Sequence, residues 1–400
     1  MSLIMRIKLT QAEVMQTREQ LVSQVKEEFK LQYGHEPNSV TLTPGRINII
    51  GEHTDYNDGL AMPVAIDRWV CAAISKSSKE SSTIYSLNYK QSVSTSPHGS
   101  VEIQASWKQL AATAIYILKT EFGIEECANM AVGGNIPIGC GLSSSAAYVI
   151  SITQTFCRIF SIQIGERELA YLCQKIENEA LGITCGLLDQ YGIILSKKDH
   201  IMLIDFQDDS IEYIPVSFNE CSWIVINSQI QRELSESLYI QRVNECRAGL
   251  EILKKKFNIS TIRGIDTAML QELKTKHRIL YKRLSHVIDE NCRVQEMTDP
   301  LERGMADKIG TILKESHESL SSLYEVSCKE IDYIIKLSED FDGWYGGRII
   351  GGGFGGCSIH LVAHRVIEDY RSYITANYTK KYDIIPDILE VTFSGGLQHL

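Results

Sequence analysis

Residues Pro137 to Ala147 read Pro-Ile-Gly-Cys-Gly-Leu-Ser-Ser-Ser-Ala-Ala and open an apolar stretch with helical spacing. Gly139 and Gly141 have no Cβ, so the backbone there reaches positive φ and can aim successive amides at one anion. Ser143, Ser144 and Ser145 start a helix through Tyr148, Val149 and Ile152, where unpaired amides and the positive dipole end favour phosphate oxygens. Their hydroxyls could also reach a magnesium ion. The same residues equally fit a glycine turn leading into a serine-capped helix that binds nothing. Two other phosphate loops are excluded. A P-loop ends in Gly-Lys-Ser/Thr, and no Lys stands here; a dinucleotide fingerprint needs a third glycine where Ser144 stands.

A second stretch, Pro44-Gly45-Arg46-Ile47-Asn48-Ile49-Ile50-Gly51-Glu52-His53-Thr54-Asp55-Tyr56-Asn57-Asp58-Gly59, sets charge beside an apolar strand. Carboxylates accept from sugar hydroxyls in pairs, and Arg supplies a fixed fork of donors with a permanent charge, so Arg46, Glu52, His53 and Asp55 suit a polyhydroxylated ligand. A purely structural Arg and carboxylate network is the alternative. Asp189 stands alone among glycine and apolar residues from Gly182 to Gly192. Buried without a partner such a carboxylate is costly, so it either caps a helix or is held for chemistry, with Arg46 as the expected charge partner. Glu177, near the end of an amphipathic segment, is open to a metal-binding or an ordinary surface role. Gly351 to Cys357 (Gly-Gly-Gly-Phe-Gly-Gly-Cys) permits close backbone approach to something, or a flexible turn.

The elements that position these groups follow from periodicity. Helices are expected over Gln11–Leu31, Leu110–Leu118, Gly165–Leu181, Tyr239–Phe257, Tyr281–Val294, Leu301–His317 and Glu330–Leu337. Strands are expected at Val40–Thr43, Ala72–Ile74, Thr83–Ser86, Met130–Gly134 and Ser358–Val362, with an exposed loop over Ser92–Gly99. Met130–Gly134 feeds Pro137–Ala147, which places that loop at a strand-to-helix junction. In the helix from Tyr239, apolar residues step by four and three, so pattern alone makes Tyr239 a core residue. A composition change between Phe206 and Phe218 sets the expected boundary between domains 1–210 and 211–400.

At 400 residues two or three domains are expected. With 44% hydrophobic and 22% charged residues the composition is that of a globular chain, and no apolar run approaches the roughly 20 residues of a membrane helix. A net charge of −10 disfavours a nucleic-acid surface. The eleven cysteines show no Cys-x-x-Cys pair and no metal-ligand spacing with histidine, which suggests free thiols in a reducing, cytoplasmic setting. No membrane partner and no obligate protein partner is expected.

Gly45–Tyr56, Pro137–Ala147 and Gly351–Cys357, in this order, resemble the three motifs of the GHMP small-molecule kinases. Within them the chain is similar to the galactokinases, through Gly45–Asn57, Cys185–Gln190, Ser237–Tyr239 with Arg242 and Cys246, and Ser316–Leu320 with Tyr324–Ser327. The resemblance implies an α+β fold of two lobes, an N-terminal ribosomal-S5-like domain and a C-terminal ferredoxin-like domain, with the site between them. It implies transfer of the γ-phosphoryl of ATP to the anomeric hydroxyl of galactose, with magnesium. Asp189 then matches the catalytic base and Arg46 its orienting partner. Glu52, His53, Thr54, Asp55, Gly186 and Tyr239 match sugar contacts, which overrides the core reading of Tyr239. Gly139, Cys140, Gly141, Leu142, Ser143, Ser144 and Ser145 match the ATP loop, Ser86 a nucleotide contact, and Ser145 with Glu177 the metal site.

The chain departs from that pattern at Cys140 (usually Ala or Ser), at Tyr148-Val149, at Ser106–Gln109 (no Trp-x-Asn-Tyr) and at Ala180-Leu181 (usually Phe-Val). A relative acting on N-acetylgalactosamine, arabinose or a uronic acid is the rival enzyme. A galactose and ATP sensor is the rival from another class, and the intact Ser143–Ala147 run together with Asp189 argues against it.

Overall fold

The computed structural model describes residues 16–95, 107–137, 139–182, 185–216, 218, 220–230 and 235–400. Thirteen strands occur among them: β1 Ser39–Asn48, β2 Leu60–Ala61, β3 Pro63–Ser77, β4 Ser82–Ser86, β5 Gln91–Thr95, β6 Cys127–Gly134, β7 His200–Asp205, β8 Ser210–Pro215, β9 Cys221–Asn227, β10 Trp344–Ile349, β11 Cys357–Ala363, β12 Asp387–Val391 and β13 Gln398–His399. They form a six-stranded sheet in the order β13-β1-β3-β6-β4-β5, a four-stranded sheet β10-β11-β9-β12 and a three-stranded sheet β2-β7-β8.

Alternation along β3 shows how the first sheet is covered on both faces. Val70, Ala72 and Ile74 enter the main core with Ile115, Val149 and Ile150 of the helices Trp107–Phe122 and Ser144–Ile159. Trp69, Cys71 and Ala73 point the other way, onto Leu21, Val25 and Phe29 of the helix Arg18–Tyr33. That helix starts in a capping box between Thr17 and Gln20 and stops at Gly34, whose φ is 80°. The expected helix from Gln11 is thus present from Arg18, and residues 11–15 lie outside the described residues.

The second sheet follows a β-α-β-β-α-β order. β9 leads through five helices to the hairpin β10-β11, and the helix Ile367–Tyr382 returns the chain to β12 beside β9. All three of its pairings are antiparallel. This is the ferredoxin-like arrangement. The main core is continuous between the lobes: Val225, Ile359 and Leu361 of the second sheet share it with Ile47 and Val64 of the first.

Two expectations need correction, and two pairings bear on how the chain divides. Residues 91–95 are strand β5, paired with β4, not exposed loop; 96–99 lie outside the described residues. The helix Arg278–Glu302 runs through Pro300, and Gly304, at φ 62°, separates it from the helix Ala306–Ser319, so no helix spans 301–317. The boundary at 210 falls at the first residue of β8, which pairs with β7. Finally, Gln398–His399 pairs with β1, which returns the end of the chain to the first sheet. No helix among the described residues is long and apolar enough to cross a membrane.

Candidate active site

A cavity of about 810 Å³ opens where the two sheets meet, within the range of small-ligand sites. Its wall is built from the end of β1 and the loop after it, the Gly139–Ser145 segment, the helices carrying Glu177 and Asp189, the start of the helix Ser235–Lys254, and Ile350–Gly356.

Arg46 reaches this cavity because β1 slips register against β3 between Pro44 and Gly45, an irregularity that re-aims the following side chain. A Cβ on Gly45 would lie 2.9 Å from the Leu142 carbonyl oxygen, so only glycine lets strand and loop approach this closely. The Arg46 amide then donates to that same oxygen at 3.2 Å. Its guanidinium is divided between two partners. Nη1 donates to the Gly141 carbonyl at 2.6 Å, while Nε, at 3.0 Å, and Nη2 both donate to Oδ1 of Asp189. The expected Arg46–Asp189 pair is therefore present, and Oδ2 of Asp189 takes no share in it.

Gly139 and Gly141 have φ of 75° and 66°, and Ser143 is also left-handed at 58°. Among the described residues no side chain caps the helix that begins at Ser144, and none pairs with the buried Ser143 hydroxyl. The first amides of that helix thus have no acceptor within the helix. The Gly351–Gly356 cluster explains how the loop is held. A Cβ on Gly351 would sit 3.0 Å from Gly141 Cα, and one on Gly356 would sit 3.4 Å from the Gly139 carbonyl oxygen. The glycines pack backbone against backbone across the lobes.

On the other side of the cavity Glu52 is buried, with Oε1 accepting from the Gly351 amide at 3.0 Å and from Arg348 Nη2 at 3.3 Å. Arg348, wholly buried on β10, also donates to the carbonyls of Ile49 (2.8 Å), Asn48 (2.5 Å) and Ile349 (2.8 Å). Behind it Glu290 accepts from the Gly51 amide, the Ser316 hydroxyl and Arg293. Burial opposes ionisation of Glu290, but Arg293, His286 and Arg348 outweigh it and hold the carboxyl at about 2.

Asp55 and Glu177 behave oppositely. Burial, then the nearby charge of Asp189, pushes each up to about 7. Glu177 accepts from Gln190 Nε2 at 2.9 Å and from the Ser145 hydroxyl. Gly186 lies against Asp55: a Cβ there would fall 1.8 Å from Asp55 Oδ2. Tyr239 lines the cavity and is not a core residue; its ring centroid is 5.6 Å from His53 and 5.4 Å from Tyr56.

Of the expected site residues, Arg46, Glu52, His53, Asp55, Gly139, Gly141, Ser145, Glu177, Gly186, Asp189 and Tyr239 line the cavity. Thr54 and Ser86 do not. The Thr54 hydroxyl sits 2.8 and 2.7 Å from the carbonyls of Gly51 and Leu60 and closes the turn, while Ser86 is buried at the end of β4. Cys140, Leu142, Ser143 and Ser144 do not line it either. Tyr56, Cys185 and Ile350 carry no expected role, yet they line the wall, together with Leu181 and the Gly351–Gly356 cluster. The signal for Arg348 was a lone charge inside an apolar strand just before the glycine cluster.

Comparison with known proteins agrees with this geometry. The pattern described as the galactokinase galactose-binding signature matches residues 27–76. The GHMP kinases N terminal domain matches 109–197 and the GHMP kinases C terminal domain 297–378. The galactokinase of Thermosipho africanus is 34% identical over 88% of this chain and 97% of its own length, and that of Staphylococcus carnosus 31% over 95% and 100%. The crystal structure of Lactococcus lactis galactokinase complexed with galactose superposes with a TM-score of 0.89 at 26% identity, covering 95% of this chain and all of that one. Methanococcus jannaschii mevalonate kinase, at TM-score 0.61 and 19% identity, shares the fold. A third of the residues identical along nearly the whole length is more than a common scaffold requires, and the chain belongs to the galactokinase family of the GHMP kinases.

Proposed function

We propose that this chain transfers the γ-phosphoryl of ATP to the anomeric hydroxyl of galactose, giving galactose 1-phosphate. One observation carries the reading: a single guanidinium, that of Arg46, bridges the Gly139–Ser145 loop and the Asp189 carboxylate. Phosphoryl transfer is mostly positioning and charge neutralisation. The loop amides and the uncapped helix start hold the phosphates, and Arg46 opposes charge on the group in flight. Asp189 Oδ2 takes the proton of the attacking hydroxyl, and Glu52, His53, Asp55 and Tyr239 hold the sugar.

Magnesium fits the residues at hand. Glu177 is a buried carboxylate held near neutrality beside the Ser145 hydroxyl, an oxygen-only pair suited to a hard cation. Among the described residues no group of three or more His, Cys, Asp or Glu could hold a metal, so Ser145 and Glu177 would hold the ion together with nucleotide and water. When bound, the ion would neutralise charge between the outer phosphates.

Specificity should follow from the carboxylates. A sugar that inverts a contacted hydroxyl leaves Glu52 or Asp55 without its donor in a half-dry site, so galactose is expected to exceed glucose by at least about tenfold in kcat/KM. Of the two departures beside the sugar, Leu181 lines the cavity and Ala180 does not, so one side chain is left to alter the pocket. Assay galactose, glucose, N-acetylgalactosamine and arabinose at one ATP concentration; equal efficiencies for galactose and glucose, or preference for another sugar, would sink the galactose assignment.

Gly186→Ala is expected to raise the KM for galactose by about tenfold with little change in melting temperature. The added methyl collides with the far end of the Asp55 side chain, which can swing away at small cost to the fold but at the expense of its sugar contact. An unchanged KM would show that Asp55 does not touch the sugar.

A further inference from the structure

Two consecutive residues of the helix Leu188–Ile194 reach different partners. Asp189 lines the cavity and pairs with Arg46. Gln190 does not line it: its side chain is wholly buried, and Nε2 donates to Glu177 Oε2 at 2.9 Å. Glu177, on the helix Glu166–Leu181, does line the cavity and also accepts from the Ser145 hydroxyl. The short helix therefore has two connections to the Gly139–Ser145 loop. One runs from Asp189 through Arg46 to the Gly141 carbonyl, the other from Gln190 through Glu177 to Ser145.

The second connection holds a carboxylate where electrostatics disfavour it. Burial opposes the charge on Glu177, and the like charge of Asp189 is the next largest opposing influence. A glutamate side chain has several torsions with which to turn away, so donors are needed to keep it in place. The type of residue at 190 is informative. Lys or Arg there would neutralise Glu177 and repel a cation, and Asp or Glu would add repulsion; an amide donates without changing the charge. An ionised carboxylate only accepts, so the amide presents Nε2 to it. Gln190 Oε1 is then buried with no partner among the described residues. A side chain that only filled space would serve better as Met or Leu, which leave no polar atom unpaired.

We infer that Gln190 is a positioning residue, which holds the charged Glu177 carboxylate against the cavity, beside Ser145, to receive the divalent cation that accompanies a nucleotide. Gln190 touches neither cation nor nucleotide, so its whole effect passes through Glu177. The inference rests on the proposed kinase reading and adds to it the residue that sets the affinity of the Ser145–Glu177 pair for its ion. Removing the outer partner of a metal-binding side chain typically weakens the site by about 10- to 100-fold.

Calorimetric titration of the full-length protein with AMP-PNP in mildly alkaline buffer, once with excess magnesium and once with EDTA, reads how far the cation tightens nucleotide binding. Gln190→Met should cut that tightening by about tenfold, with the magnesium-free Kd and the galactose Kd each within about twofold of wild type. Its melting temperature should be unchanged or higher, since no amide oxygen is left unpaired. Glu177→Gln should lose most of the tightening, and Gln190→Met added to it should lose nothing more, because both act through one carboxylate. A folded Gln190→Met protein with wild-type tightening would overturn the inference and leave the kinase reading standing. So would an equal loss of magnesium-free affinity, or additive losses in the double variant, either of which marks a merely structural role. Gln190→Leu is the second variant, with the same expectation, and failure of both to fold would also make the role structural. A wild-type protein that binds no nucleotide in either buffer would overturn the kinase reading and the inference with it.

Discussion

Asp189→Asn is expected to lower turnover by about 10² to 10⁴ while leaving a folded protein that binds galactose. Asp189 sits in the first turn of the helix Leu188–Ile194, with about a third of its side chain exposed, and the asparagine has the same shape. An amide oxygen can still accept from Arg46, but it cannot take the proton of a weakly nucleophilic hydroxyl. The charge has a second effect. After burial, Asp189 is the largest influence holding Asp55 and Glu177 at about 7, so both carboxyls should titrate lower in the variant. Steady-state turnover, galactose affinity by calorimetry and carboxyl titration by NMR check the three parts. A folded variant with near-wild-type turnover would remove Asp189 as the base; a fall in turnover without the carboxyl shift would leave the base and correct the electrostatics.

Arg348→Met is expected to cost about 3 to 5 kcal/mol of stability, the range found when one member of a buried ion pair is removed. The methionine fills a similar volume, so packing is not the main loss. What disappears is the donor set: the Asn48, Ile49 and Ile349 carbonyls lose their guanidinium partner, and the buried Glu52 loses one donor while keeping the Gly351 amide. These bonds tie β10 of the second lobe to the end of β1, two residues beyond Arg46, so galactose affinity should fall with stability. Arg348→Lys should recover part of each, because an ammonium supplies charge but not a planar fork. Equilibrium urea unfolding of the three proteins measures this directly. A loss below about 1 kcal/mol in the Met variant would mean that Arg348 is not what joins the lobes.

Several elements of this molecule were legible without coordinates because their cause is local. The spacing of Leu169, Leu172, Ile176 and Ala180 marks the helix Glu166–Leu181, and all four are buried. Glycines at 139 and 141 announce a left-handed loop, and serines before an apolar run announce the start of a helix; both are present. The pairing of Arg46 with Asp189 was legible for another reason: a lone carboxylate in an apolar stretch demands a charge, and few were at hand. With the motif resemblance, these sufficed for the fold class and for eleven of the 23 residues that line the cavity.

Tertiary structure alone decided the rest. The register slip at Gly45 that turns Arg46 inward depends on β3, and the use of Gly351–Gly356 depends on the loop packed against it, more than 200 residues earlier. Thr54 carries the residue type of a sugar contact, but the turn it sits in consumes its hydroxyl. Tyr239 has core spacing along its helix, but the adjoining surface there is the cavity wall. Arg348 meets Glu52 across 296 residues, and Tyr324 meets Tyr56 across 268. Periodicity and turn chemistry act over one or two turns of chain. Which buried donor faces which buried acceptor is set by how the two sheets dock, and that is a property of the whole packed core.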